Sequence, residues 1–302
     1  EQLLSALSHA FVDGQSLRTY RHAPNAGSRK SWAVGDATSR GVRLADIAMR
    51  GEMGIPGVLS APQWGFYDVL FSKTNKDQRL KEEERRRFSI SQAYGTYVME
   101  NVLFKIAFPA EFHAQTACEA ALTLHSQVKT RLDEIAKIVI TTHESAIRII
   151  SKVGPLANPA DRDHCLQYMV AVPLIFGELT AEHYEDEFHA AHPLIDELRD
   201  KMEVVEEPRY SREYLEADKR SIANAVQVFF TDGSKTEPVA VEYPIGHRRR
   251  RDEGIPLLVE KFNANLATRF APRRCQEIAA LCADGERLAS TPVNAFVDLL
   301  VT

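Results

Sequence analysis

Cysteine is scarce in this chain: Cys118, Cys165, Cys275 and Cys282 are the only four in 302 residues. So few thiols cannot make a disulfide framework, and a reducing compartment is the plain expectation. No C-x2-C pair is present, so local spacing offers no zinc or iron–sulfur ligand set. Long apolar runs are missing as well. Charge interrupts each apolar segment within about ten residues, against the ~20 needed to span a bilayer, so no membrane span is expected. A basic excess is also absent. With 37 Lys plus Arg against 42 Asp plus Glu, the net charge of −5 has the wrong sign for a nucleic-acid partner. Finally, Glu1-Gln2-Leu3-Leu4-Ser5-Ala6-Leu7 starts in helical register with neither an initiator Met nor a cap, so the chain is expected to lack its natural beginning.

What is present is 44% hydrophobic residues, enough for a sizeable core and for two domains. Helical spacing runs from Leu3 to Phe11, where Asp13-Gly14 stops it, and resumes from Ser31 to Met49. Gly51, Gly54, Pro56 and Gly57 predict a turn, and Ala61 to Phe71 a short helix. Lys73 to Arg87, with Lys81-Glu82-Glu83-Glu84-Arg85-Arg86-Arg87, reads as a solvated insertion. Beyond Asn101 the period changes. Ile135 to His143 alternates with β-branched residues, and Ile222 to Phe230 and Glu237 to Tyr243 flank Thr231-Asp232-Gly233-Ser234, a hairpin signal. Helices are predicted over Ala114–Leu132, Arg162–Phe176, Ile195–Met202, Ile255–Ala267 and Arg273–Glu286. The fold class is therefore α+β and mainly helical, with an antiparallel sheet in the middle of the chain covered on one face by helices.

Two stretches concentrate chemically active side chains. The loop from Arg18 to Lys30 carries Arg18, Arg21, His22, Arg29 and Lys30, a set suited to a small polyanion; the plainer reading is a solvated basic loop. Lys105 to His113 brackets an apolar turn with a Lys, the carboxylate of Glu111 and a His at the junction of the two inferred units. There His113 is a candidate acid or base and Lys105 a candidate carboxylate partner, set against a His that merely caps the helix near Ala114. Glu185, His189 and His192 share a helical spacing that suits a metal, although their acidic surroundings read as an exposed segment. Gly51, Gly54 and Gly57 are turn glycines, not a dinucleotide fingerprint. Arg248 to Arg251 is followed directly by Asp252-Glu253 and reads as a mostly solvated approach to a helix, with one or two of its arginines paired. These residue types favour chemistry on a small polycarboxylate in a cleft, with neither metal nor organic cofactor.

Five strings carry a closer resemblance: Gly14–Asn25 (GQSLRTYRHAPN); Lys30-Ser31-Trp32 with Gly35–Arg40; Tyr97–Lys105 (YVMENVLFK); Asn158–Cys165 (NPADRDHC); and Tyr243–Arg251 (YPIGHRRRR). Together they resemble the MmgE/PrpD family of dehydratases, along essentially the whole chain, as if it were the C-terminal three-fifths of such an enzyme. The resemblance implies a large all-helical domain with a smaller α+β lid: residues 1–104 helical and incomplete, 105–245 the lid, and 246–302 C-terminal helices returning to the helical domain. It implies removal of water from 2-methylcitrate to give 2-methyl-cis-aconitate in propionate catabolism, with citrate as a second substrate and no iron–sulfur cluster. Decarboxylation of cis-aconitate and an inactive fragment that keeps the fold are the alternatives.

Carried onto this sequence, the resemblance marks Lys30 and His113 as catalytic and Arg18, His22, Lys105 and Glu111 as substrate-binding. Glu111 competes with His113 for the aligned position. The partner is then a small tricarboxylate, with no nucleic acid, no membrane and a homodimer expected. The insertion over 72–91 resembles fungal-type members of the mitochondrial matrix; bacterial members are cytoplasmic.

Overall fold

The structure is a computed structural model that describes residues 1–13, 19–21, 26–71, 95 and 100–301. The chain divides into two units, Glu1–Gly95 and Thr96–Thr302. Residues 100–104 are tied to the second unit. Phe104 N–H donates to Gly246 O at 3.1 Å, and the Arg251 guanidinium donates to Glu100 O at 2.8 Å.

The described α-helices of the first unit are α1 (Gln2–Asp13), α2 (Arg29–Met49) and α3 (Phe66–Leu70). The Ser8 hydroxyl of α1 accepts from Ile55 N–H at 2.8 Å, drawing the glycine-rich turn onto the helix. A Cβ on Gly54 would lie 2.7 Å from Ser5 Cα, so this approach requires glycine. Phe11 meets Phe66 edge to face at 5.1 Å. The predicted short helix is limited to Phe66–Leu70 because Gln63 and Gly65 still belong to the turn, where Gln63 N–H is held by the Asp68 carboxylate at 2.9 Å. The insertion over 72–91 lies outside the described residues.

Among the described residues the second unit has α4 (Gln115–Val128), α5 (Glu144–Ile150), α6 (Pro159–Arg162), α7 (Leu166–Phe176), α8 (Asp186–Ala191), α9 (Leu194–Asp200) and α10 (Pro208–Leu215), followed by α11 (Arg251–Ala267), α12 (Pro272–Ala283), α13 (Gly285–Ser290) and α14 (Val293–Asp298). The strands are β1 (Ile135–Thr142), β2 (Met202–Glu206), β3 (Asn224–Phe230) and β4 (Val239–Val241). They form one sheet in the order β2-β1-β3-β4.

The expected antiparallel sheet needs one correction. β3 pairs antiparallel with β1 and β4, but β2 runs parallel to β1, with Ile138 opposite Met202 and Thr142 opposite Glu206. A parallel neighbour needs a crossover connection, and the helices between β1 and β2 supply it. The predicted hairpin is present: Gly233 adopts φ 84, Asp232 accepts from Ser234 N–H at 2.8 Å, and Arg131 reaches Asp232 across the Phe230 ring.

Strict alternation on β3 buries Asn224, Val226, Val228 and Phe230. With Ile138 and Ile140 of β1 they face the Ala-rich side of α4, and α7 packs on α4 in turn. Each of these aliphatic side chains contributes about 1.5–3 kcal/mol by leaving water. α7 is buried nearly all round, from Leu166 to Leu174. The NPADR string begins with a structural cap: Asn158 accepts from Asp161 N–H at 3.1 Å ahead of Pro159. Its Arg162 is 1% exposed and donates to Tyr184 O at 2.6 Å and to Asp186.

Candidate functional site

The turn from Lys105 to His113 is held from below. The Gln115 side chain of α4 donates to Phe108 O at 3.0 Å and to Ala110 O at 2.8 Å, satisfying two carbonyls of a stretch that makes no ladder. Glu111 then caps the 3-10 turn Phe112–Ala114, accepting from His113 N–H at 2.8 Å. The same carboxylate meets His113 Nδ1 at 2.8 Å, so Glu111 and not His113 is the capping residue. His113 is thereby fixed with its Nε2 turned to the Tyr214 hydroxyl at 3.2 Å. With Nδ1–H donated to the carboxylate, Nε2 carries the lone pair and accepts from Tyr214. Burial pushes the Glu111 carboxyl up, but the hydrogen bonds and charge from His113 outweigh it and hold the group below its ordinary value.

Behind this array stands His143, at the end of β1. It is fully buried, stacks on Tyr214 at 4.6 Å and 15°, and lies 5.2 Å from the His113 ring. Among the described residues neither of its ring nitrogens has a hydrogen-bond partner. Burial, with His113 next in weight, lowers its pKa to about 4. The backbone under His113 is secured by Asn224 of β3, whose amide donates to His113 O at 2.8 Å and to Thr116 Oγ1 at 2.7 Å.

His113 and Tyr214 open on a cavity of about 310 Å3, also lined by Phe112, Arg220, His247 and Arg248. That is at the small end of the range for small-molecule sites. Arg248 is anchored by Asp218 O at 2.5 Å and Asn101 Oδ1 at 3.3 Å. His247, 2% exposed, accepts from Arg249 N–H and has its pKa lowered to about 4 by burial first, then by Arg248 and Arg249. Two guanidinium groups and two imidazoles line the space, and no carboxylate does among the described residues.

The residues singled out from the sequence divide as follows. Glu111 and His113 come together as one hydrogen-bonded pair. Lys105 is exposed, with Nζ 5.6 Å from the centre of the Phe112 ring. Lys30 belongs to the first unit, half-buried in the opening turn of α2, where its N–H donates to Gly27 O at 3.1 Å. Arg18 and His22 lie outside the described residues. The Glu185, His189 and His192 set does not converge: His189 Nε2 meets Asp196 at 3.0 Å and His192 Nδ1 meets Phe188 O at 2.7 Å. Among the described residues no group of three or more His, Cys, Asp or Glu is placed to hold a metal ion. Among the arginines from 248 to 251, Arg250 pairs with the carboxylates of Glu119 and Glu253.

A mixed sheet under helices thus carries a carboxylate–imidazole–phenol array beside a cavity lined by two guanidinium groups. The MmgE/PrpD C-terminal domain matches residues 108–285, and the MmgE/PrpD N-terminal domain matches residues 1–79. The chain belongs to the MmgE/PrpD family. It is 58% identical to a 2-methylcitrate dehydratase of Cupriavidus necator, an alignment covering 99% of this chain and 60% of that protein. It is 57% identical to a 2-methylcitrate dehydratase of Escherichia coli strain K12, across 100% of this chain and 60% of the relative. A relative from Yarrowia lipolytica named as a mitochondrial 2-methylcitrate dehydratase is 54% identical, with 56% of its length covered. The chain thus spans about 60% of the length of the curated relatives it matches. No described helix is long and apolar enough to cross a membrane.

Proposed function

We propose that the protein eliminates water from 2-methylcitrate to give 2-methyl-cis-aconitate. The observation that carries this reading is the 58% identity, over 99% of the chain, to a protein named for that reaction. The acid–base array supports it. In the proposed elimination, His113 Nε2 takes the proton next to a substrate carboxylate, and Glu111 steadies the imidazolium that forms. The electron pair of the broken C–H bond becomes the new double bond, and the hydroxyl leaves as water after protonation. Tyr214 is the nearest donor for that proton. Charge that builds on the carboxylate as the C–H bond breaks is answered by cations. Lys105, Lys30, Arg18 and His22 are assigned to the substrate on the strength of the family resemblance. Acid–base and cationic groups suffice for this chemistry, so cofactor independence is part of the proposal. Since relatives include both mitochondrial and bacterial proteins, a matrix or cytoplasmic location is proposed with it.

The test is turnover of 2-methylcitrate by the full-length protein, followed through the ultraviolet absorbance of the conjugated product. His113→Asn and Lys30→Ala are each expected to lower kcat by about 100-fold or more with the circular dichroism unchanged. Unchanged turnover removes the residue concerned from the mechanism. Release of carbon dioxide from cis-aconitate in place of absorbance from 2-methylcitrate would replace the dehydratase reading with the decarboxylase one.

A further inference from the structure

We propose that Arg220 is the carboxylate anchor of the cavity in the second unit, gripping one carboxylate of a tricarboxylic acid beside the Tyr214 hydroxyl. The proposal takes the chemical class of its ligand from the dehydratase reading; the existence of an anion subsite rests on the following geometry.

Arg220 lines the cavity together with His113, Tyr214 and Arg248. Its guanidinium has no hydrogen-bond or ion-pair partner among the described residues, which sets it apart from the other arginines nearby. Arg248 and Arg249 are committed to Asp218 O, Arg250 to Glu119 and Glu253, and Arg251 to Glu100 O. Two of the neighbouring carboxylates are committed too. Glu213 takes Lys219 at 2.7 Å and Arg209 at 2.9 Å, and Glu216 takes Lys219 at 3.4 Å. Lys219 and Arg209 thus occupy Glu213 and Glu216, so neither pairs with Arg220.

The backbone supports the same reading. Arg220 adopts φ 47, a left-handed conformation that costs any residue with a Cβ. Its N–H closes a turn onto Glu216 O at 2.9 Å, and the chain then turns into β3. Strain of this kind is kept where the surrounding structure enforces it, and such positions concentrate at ligand clamps. The side chain is within electrostatic reach of Tyr214: Arg220 opposes the upward push that burial, and Glu111 after it, exert on the phenol. A carboxylate seated beside Arg220 therefore meets a bidentate fork, the geometry for which planar carboxylates are best matched. Arg248 adds a second positive charge to the same wall.

The experiment is calorimetric titration of the full chain with tricarballylate, a tricarboxylate that has no hydroxyl to eliminate and so reports binding without turnover. Arg220→Gly keeps the left-handed backbone, which glycine adopts freely, and removes only the guanidinium; Arg220→Lys restores a positive charge without the fork. The expected result is a Kd for the glycine variant about 10- to 100-fold weaker than the parent's, with part of the loss recovered by lysine. A glycine variant that melts like the parent and binds within about threefold of it overturns the proposal. So does a parent that binds no tricarballylate at millimolar concentration. Binding that depends on Arg220 in a protein inert toward 2-methylcitrate keeps the anchor and removes the dehydratase reading instead.

Discussion

Acid should unfold this protein partly through one buried histidine. His143 has no exposed surface and, among the described residues, no partner for either ring nitrogen, so charging it in the folded state is disfavoured. Its pKa is lowered from 6.5 to about 4, burial being the larger cause and His113 the next. Between these two values the unfolded chain binds the proton and the folded chain does not. Stability from this group is therefore complete above pH 6.5 and drains away as the pH falls toward 4. The full span is worth about 3 kcal/mol, and at pH 5 about 2 kcal/mol has been lost. For a domain of this size that corresponds to a drop of about 4–8 °C in Tm between pH 7 and pH 5 from His143 alone. His143→Phe keeps a flat ring against Tyr214 and discards the two unpaired nitrogens, so it should be neutral or stabilising at pH 7. The assay is thermal unfolding of the parent and the variant at both pH values. The parent should lose about 2 kcal/mol more than the variant on acidification. Equal losses would show that His143 is not held neutral by its surroundings, and the argument would fail.

Two further substitutions probe the scaffold. A Cβ on Gly246 would lie 1.7 Å from Phe104 O, at the point where Phe104 N–H donates to Gly246 O. Gly246→Ala must therefore push the 100–104 segment away, at an expected cost of about 2–4 kcal/mol in urea unfolding, and a loss under about 1 kcal/mol would refute that fit. Arg162→Ala strips the donor from the Tyr184 carbonyl inside the helical layer, which should cost about 1–3 kcal/mol by chemical denaturation; the exposed Asp186 carboxylate adds little. A midpoint shift too small to measure would mean that the buried guanidinium is dispensable.

The parts of the molecule that sequence reasoning found are those whose signal is local. Asp232-Gly233 writes its turn in adjacent residues, and the apolar alternation of β3 shows its buried face directly. Glu111 and His113 are two residues apart, so a carboxylate–imidazole pair could be anticipated from a single short string. β2 could not. Met-Glu-Val-Val-Glu is short and alternates poorly, and only its parallel pairing with β1, some sixty residues away, makes it a strand. The same holds for the rest of the cavity. Tyr214, Arg220 and His247 reach His113 from positions a hundred or more residues along the chain. A lone His143 at a strand end has no spacing to mark it, and nothing in Lys219-Arg220-Ser221 announces a left-handed residue. Family resemblance supplied the reaction, whereas the side chains around His113 needed coordinates.

Both margins of the sheet are poor templates for further strands. β4 is three residues long and confined between Pro238 and Pro244, and β2 presents Glu203 and Glu206 along an outer margin of five residues. A second molecule approaching either side finds too few free amides to zip onto and, at β2, like charge against like charge. At high concentration this unit should therefore resist growth into fibrils through its sheet, and any clumping should begin at other surfaces.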